Sequence, residues 1–203
     1  MNPSPENTTP DYLDLSLGDF LDLVASDSPA PGGGSVAAVT VALAAGLSGM
    51  AARLSTGQLT DAPELADQAD DLRRRVAPLA RADAESYGRV LDAYRLPREP
   101  DPEMRMERVR DALSGAADVP LAVAEIGNEV AVIAARLVEE GNPNLKGDAM
   151  TAVLLAGAGV RAAAKLTEIN LSAANADDDR LGWAVQLVGE TAAIARRATE
   201  GGG

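Results

Sequence analysis

Apolar positions recur at three- and four-residue intervals along most of the chain, and β-branched alternation is scarce. The pattern therefore predicts helices and almost no strand. A first helix is expected over about 17–25, with Leu17, Phe20, Leu21 and Val24 as its stripe, Ser16 as N-cap and Asp19 three residues later in a box-like position. Residues 27–34 hold two Pro and three Gly and break it; Ser35 then caps a second helix over 36–54. A third is expected over 63–94, opening on Pro63 and kinked at Pro78, with Leu65, Leu72, Val76, Leu79, Tyr87, Val90, Leu91 and Tyr94 on one face. After a Pro-bounded turn at 96–101, a fourth long segment spans 102–140 with a kink near Pro120. Gly141-Asn142-Pro143-Asn144 reads as a turn, followed by helices over 147–169 and 180–198 separated by a polar stretch at 176–179. Residues 1–11, with three Pro, read as a disordered arm, 201–203 as a Gly tail, and 12–200 as one helical domain.

Long helices joined by short turns imply a fold class of all-α: a single antiparallel helical bundle with long, Pro-kinked helices. Small residues dominate the second and fifth helices, which places those two at the centre. Of the 203 residues 40 are Ala, but only one is Phe, one Trp and three Tyr. A narrow, Ala-lined core is weak alone, so the bundle is expected to form a homodimer that buries one more face. The uncharged stretch Val36–Ala52 covers roughly 26 Å as a helix, short of the ~30 Å hydrocarbon core, and reads as a buried helix rather than a membrane span. The first 15 residues carry neither the basic region nor the apolar run of a signal peptide, so a soluble, cytoplasmic protein is expected.

Composition then narrows the chemistry. With no Cys and no His, thiol nucleophiles, disulfides, zinc sites of the Cys/His type and imidazole bases are excluded. Acid–base work falls to Asp, Glu, Lys, Tyr or water, and a metal bound by side chains would be a hard cation on oxygen ligands. The net charge of -13 argues against nucleic acid and against an anionic membrane as partners.

Two constellations stand out. Ser28-Pro29-Ala30-Pro31-Gly32-Gly33-Gly34-Ser35 opens a helix; exposed amides there suit an anion, while a tight packing turn is the plain alternative. Gly141 to Asp148 is a polar turn feeding an apolar helix, with Asp148 in the first turn where the positive end of the dipole favours a carboxylate. Asp83, Glu85 and Tyr87 form either an acid patch on a cleft or plain surface. Gly157-Ala158-Gly159-Val160-Arg161-Ala162, with Asp177 about 20 residues on, imitates a dinucleotide fingerprint, but no strand precedes it; small-residue helix contact fits better. Asp177-Asp178-Asp179 and Arg73-Arg74-Arg75 read as a solvated turn and a solvated face.

In this order the motifs resemble the cyclodeaminase/cyclohydrolase family, which spans the cyclodeaminase domain of formiminotransferase-cyclodeaminase and stand-alone methenyltetrahydrofolate cyclohydrolases. The resemblance runs over about 15–172. It rests on Phe20 to Ser26, Ser28 to Ala38, Asp83 to Tyr87, Arg95-Leu96-Pro97, Asp118-Val119-Pro120-Leu121, Gly141-Asn142-Pro143-Asn144 with Asp148-Ala149, and Ile169-Asn170-Leu171. The chain departs from the family in having Gly147 where a serine usually precedes the aspartate, and Gln58 after Gly57 where a lysine is frequent.

The resemblance implies a dimeric all-α enzyme with a folate site in a groove near the subunit interface. The expected reaction is hydrolysis of 5,10-methenyl- to 10-formyltetrahydrofolate. Release of ammonia from 5-formiminotetrahydrofolate is the alternative, and a non-catalytic folate-binding or scaffold dimer a third. Beyond the tetrahydrofolate substrate no cofactor and no metal is expected. Asp148 is the first candidate for the catalytic carboxylate and Asp83 the second. Gly32, Gly33, Gly34, Ser35, Asn142, Asn144, Lys146 and Arg53 are expected to bind substrate, with Arg161 a further cation near the motifs. Tyr87, Tyr94 and Trp183 are the aromatic candidates for stacking on the pteridine.

Overall fold

The computed structural model describes residues 9–200, so most of the expected N-terminal arm and all of the Gly tail lie outside the described residues. Among the described residues eight α-helices follow one another: α1 Leu17–Val24, α2 Gly33–Arg53, α3 Ala62–Val76, α4 Leu79–Arg95, α5 Pro102–Gly115, α6 Asp118–Glu140, α7 Lys146–Ala173 and α8 Asp179–Glu200. Short 3-10 turns at Tyr12–Asp14 and Pro143–Leu145 precede α1 and α7. No strand occurs among the described residues, and the all-α bundle is as the periodicity requires.

Both expected kinks are breaks. At 77–78 the chain leaves α3 and re-enters a helix with Pro78 as N-cap of α4. Proline inside a helix removes an N–H and clashes with the preceding turn, so a break relieves both. Pro120 is the third residue of α6, where its missing N–H would have had no partner within the helix. The chain therefore divides at 116–117, into α5 and α6. Ser16 caps α1 as expected, accepting from the Asp19 N–H. Ser35 does not cap α2: Gly32 holds the cap position, extended at φ -107°, and Ser35 lies in the first turn.

α2 and α7 occupy the centre. α2 packs on α3, α4, α6 and α7, and α7 also receives α8. The backbones meet closely because glycines stand at the crossings. A Cβ on Gly159 would come within 2.5 Å of Val41 Cγ2, and one on Gly127 within 2.7 Å of Val160 Cγ2. The Gly157-x-Gly159 pattern is thus a helix contact. α2 and α7 are long and apolar enough to cross a membrane by length and composition, but about half of each apolar window is buried inside the bundle. The outward stripe of α2 remains apolar and exposed at Val36, Leu43, Met50 and Leu54, and that of α7 at Leu154 and Ile169.

Charged residues occupy the periphery. Arg73, Arg74 and Arg75 pair with Asp70, Asp71 and Glu129 on a solvated face. Asp178 belongs to Arg180, which also reaches Asp118 and the Ser114 carbonyl, so this acidic stretch closes the α7–α8 corner. That partner holds the Asp178 carboxyl down at about 2.

Candidate active site

One cleft gathers much of the chemistry singled out in the sequence. It opens between the start of α2, the middle of α4 and the last turns of α7, with a volume of about 310 Å³. Pro29, Ala30, Gly32, Gly33 and Gly34 form one wall. Asp83, Ala84, Ser86 and Tyr87 of α4 form the second, and Leu166, Ile169 and Asn170 of α7 the third, closed by Ala116. No Lys or Arg is among these residues.

The floor is a contact between α2 and α4. Ser35 donates its backbone N–H to Asp83 Oδ2 at 2.9 Å and its hydroxyl to the Ala80 carbonyl at 2.7 Å; the same hydroxyl lies 3.3 Å from Asp83 Oδ2. The first N–H groups of a helix have no partner in their own helix, so a carboxylate facing the start of α2 satisfies one and meets the positive end of the dipole. Gly34 is what lets it approach. A Cβ there would stand 2.7 Å from Asp83 Oδ2 and closer still to Oδ1. Gly33 is different, since its Cβ would make an ordinary 3.7 Å contact with Leu166. Of the three consecutive glycines, Gly34 is the one the carboxylate requires for space.

Burial pushes the Asp83 carboxyl above its ordinary value of 3.8, and the bonds from Ser35 oppose that only in part. A carboxyl half-withdrawn from water, held by one edge and bare of cations, is poised to meet a cation or to carry a proton. Asp83 also helps to raise the already buried Tyr12 hydroxyl, which keeps that phenol neutral.

The remaining sequence candidates gather elsewhere. Arg53, Asn142, Asn144, Lys146 and Asp148 lie where α2 ends and α7 begins, on the order of 30 Å from the cleft along either helix at roughly 1.5 Å per residue. There Asn142 accepts the Asn144 N–H, donates to the Leu54 carbonyl, and gives its own N–H to the buried Ser55 hydroxyl. The Gly-Asn-Pro-Asn turn is thereby tied to the end of α2. Arg53 is paired with Asp70. Arg161 faces a separate groove with Lys165, Glu168 and α8.

Tyr87 is the one aromatic candidate on the cleft. Trp183 donates to Glu125 Oε1 on the α6–α8 side, and Glu85 turns away to Arg81 at 2.7 Å. Sequence reasoning assigned no role to Ser86, Leu166, Ile169 or Asn170. The Ile169-Asn170-Leu171 motif carried the signal for two of them, as a polar residue beside an exposed isoleucine near a helix end.

Comparison with known proteins identifies the family. The family model for formiminotransferase-cyclodeaminase matches residues 16–183. A methenyltetrahydrofolate cyclohydrolase of Methylorubrum extorquens is 37% identical over 169 residues, 79% of this chain and 80% of that protein. A formimidoyltransferase-cyclodeaminase of Mus musculus is 34% identical over 78% of this chain, which spans 31% of that longer protein. The crystal structure of a formiminotetrahydrofolate cyclodeaminase from Thermotoga maritima superposes with a TM-score of 0.76 at 28% identity, covering 93% of both chains. A bundle of this topology, with the Gly-rich helix start facing Asp83 and similarity across most of its length, belongs to the formiminotransferase-cyclodeaminase family.

Proposed function

We propose that the protein is a methenyltetrahydrofolate cyclohydrolase that uses Asp83 as its working carboxylate. The observation that carries this reading is a partly buried carboxyl in a cleft lined by no Lys or Arg, beside a free helix start. The substrate's one-carbon bridge is an amidinium cation, and a carboxylate there stabilises it and orients water. Water oxygen adds to the bridge carbon and gives up one proton. The bond from that carbon to N5 then breaks, the remaining hydroxyl proton passes to N5, and the carbon remains on N10 as a formyl group. Cation and water thus yield the neutral product and one released proton, with no other reactant. A volume of about 310 Å³ matches the fused ring and its bridge, so the benzoylglutamate extends beyond the cleft. Tyr87 supplies an aromatic face at the wall.

The raised Asp83 also favours a second reading. A carboxyl that burial makes hold its proton more tightly than a solvated one is suited to protonating the nitrogen that leaves as ammonia from 5-formiminotetrahydrofolate. The two readings separate in one pair of assays: decay of methenyltetrahydrofolate absorbance above the uncatalysed rate, and ammonia release from the formimino compound. Folate binding with neither turnover would leave a non-catalytic binder. The enzyme is further proposed to act in the cytoplasm as a homodimer without nucleic-acid or membrane partners, cofactor or resident metal. The exposed apolar stripes of α2 and α7 support the dimer, since contiguous uncharged surface of this kind marks an association face.

A further inference from the structure

Asn170 stands on the α7 wall of the cleft, and its amide is half occupied. Nδ2 donates to the Ala116 carbonyl at 3.0 Å. A carbonyl oxygen only accepts, so the orientation of the amide is fixed: nitrogen toward Ala116, with Oδ1 as the end that has no bond among the described residues. The cleft thus holds an ordered set of polar groups. Asp83 on α4 is an acceptor. The Gly33 and Gly34 N–H groups at the start of α2 are donors without helical partners. Asn170 on α7 is a second, neutral acceptor.

Resting on the folate reading, we propose that Asn170 is a specificity-determining residue, its Oδ1 accepting a hydrogen bond from the 2-amino group of the pterin ring. The chemistry of the ring follows the same order. The cationic bridge is on N5, the ring carbonyl lies beside it, and N3–H with the 2-amino group comes next. With the bridge at Asp83, the carbonyl meets the donors of α2 and the amino edge meets Asn170. A ligand lacking that donor would leave a desolvated acceptor unpaired, which a site built around the bond rejects.

The test compares kcat/KM for 5,10-methenyltetrahydrofolate and its 2-desamino analogue in the wild-type protein, Asn170→Leu and Asn170→Asp; where turnover is absent, Kd is compared instead. Wild type is expected to favour the amino compound by about tenfold or more. Asn170→Leu, with the same branched outline but without the acceptor, is expected to bring that ratio near unity, mainly through KM. Asn170→Asp retains an acceptor and is expected to keep the preference. A residue that only ties α7 to the α5–α6 corner would lower stability and depress both substrates alike, leaving the ratio unmoved; that result in Asn170→Leu overturns the proposal. Equal use of the two compounds by wild type overturns it without any variant. Failure of wild type to bind or turn over either compound removes the folate reading itself, a separate and earlier outcome.

Discussion

Adding one methyl group at Gly34 should separate folding from function. The new Cβ would overlap the Asp83 carboxylate, lying 2.7 Å from Oδ2 and nearer to Oδ1 and Cγ. Backbone cannot yield easily, because Ser35 anchors the first turn of α2 to the Ala80 carbonyl. Asp83 must therefore swing away and lose the 2.9 Å bond from the Ser35 N–H. Overpacking costs about 1–3 kcal/mol, and replacing Gly by Ala in a helix returns up to ~1 kcal/mol. The net loss of about 0–3 kcal/mol corresponds to a fall in Tm of no more than roughly 12 °C for a chain of this size. Activity is far more exposed, since a misplacement of ~1 Å at a reacting group costs on the order of 100-fold. Gly34→Ala should thus remain folded by circular dichroism while kcat/KM for methenyltetrahydrofolate falls about 100-fold. Gly46→Ala, on the same helix and away from the cleft, is the matched control. Its Cβ meets Arg73 Cδ at 3.8 Å, so activity should stay within about threefold and Tm should not fall. Near wild-type turnover in Gly34→Ala would refute the claim that this glycine exists to admit Asp83.

Asp83 binds its proton more tightly in the folded than in the unfolded chain, so the native state loses stability as pH rises from 3.8 through the raised value. Urea titrations should show Asp83→Asn gaining on wild type across that window; a difference constant with pH would contradict the burial argument. Gly159→Ala drives a Cβ to 2.5 Å from Val41 in the centre of the bundle and should cost about 1–3 kcal/mol in the same titrations, with unfolding at wild-type urea concentrations counting against close α2–α7 packing. Leu43→Glu puts a charge on the exposed stripe of α2 and should convert the proposed dimer to a folded monomer by sedimentation; an unchanged dimer would place the interface elsewhere. Asp148→Asn, remote from the cleft within the chain, should reduce kcat/KM far less than Asp83→Asn, and an equal loss would restore Asp148 as the first candidate.

The helices and their central pair were legible because period and small-residue content are local signals. Pro78 and Pro120 were not read correctly, because a proline that kinks a helix and one that begins a helix look alike in sequence. Ser35 shows the same limit. The capping rule for serine is sound, but here the hydroxyl is taken by Ala80 on another helix, a partner no local rule can supply. The Gly-rich start and Asp83 were each visible as candidates. That they form one site, while Asp148 and Asn142 stand at the far end of α2 and α7, follows from the antiparallel course of the long helices. Asn170 was visible only as part of a motif, since its significance lies in which end of its amide the Ala116 carbonyl occupies.

The central claim is that Asp83, seated against the start of α2, does the chemistry. The direct measurement is the absorbance decay of 5,10-methenyltetrahydrofolate with wild type and Asp83→Asn at equal concentration, each shown folded. Asparagine keeps the shape and can still accept from Ser35, but it neither balances the substrate cation nor takes a proton from water. The account predicts acceleration by wild type and a loss of about 100-fold or more in the variant. Turnover by Asp83→Asn within a few-fold of wild type would contradict it.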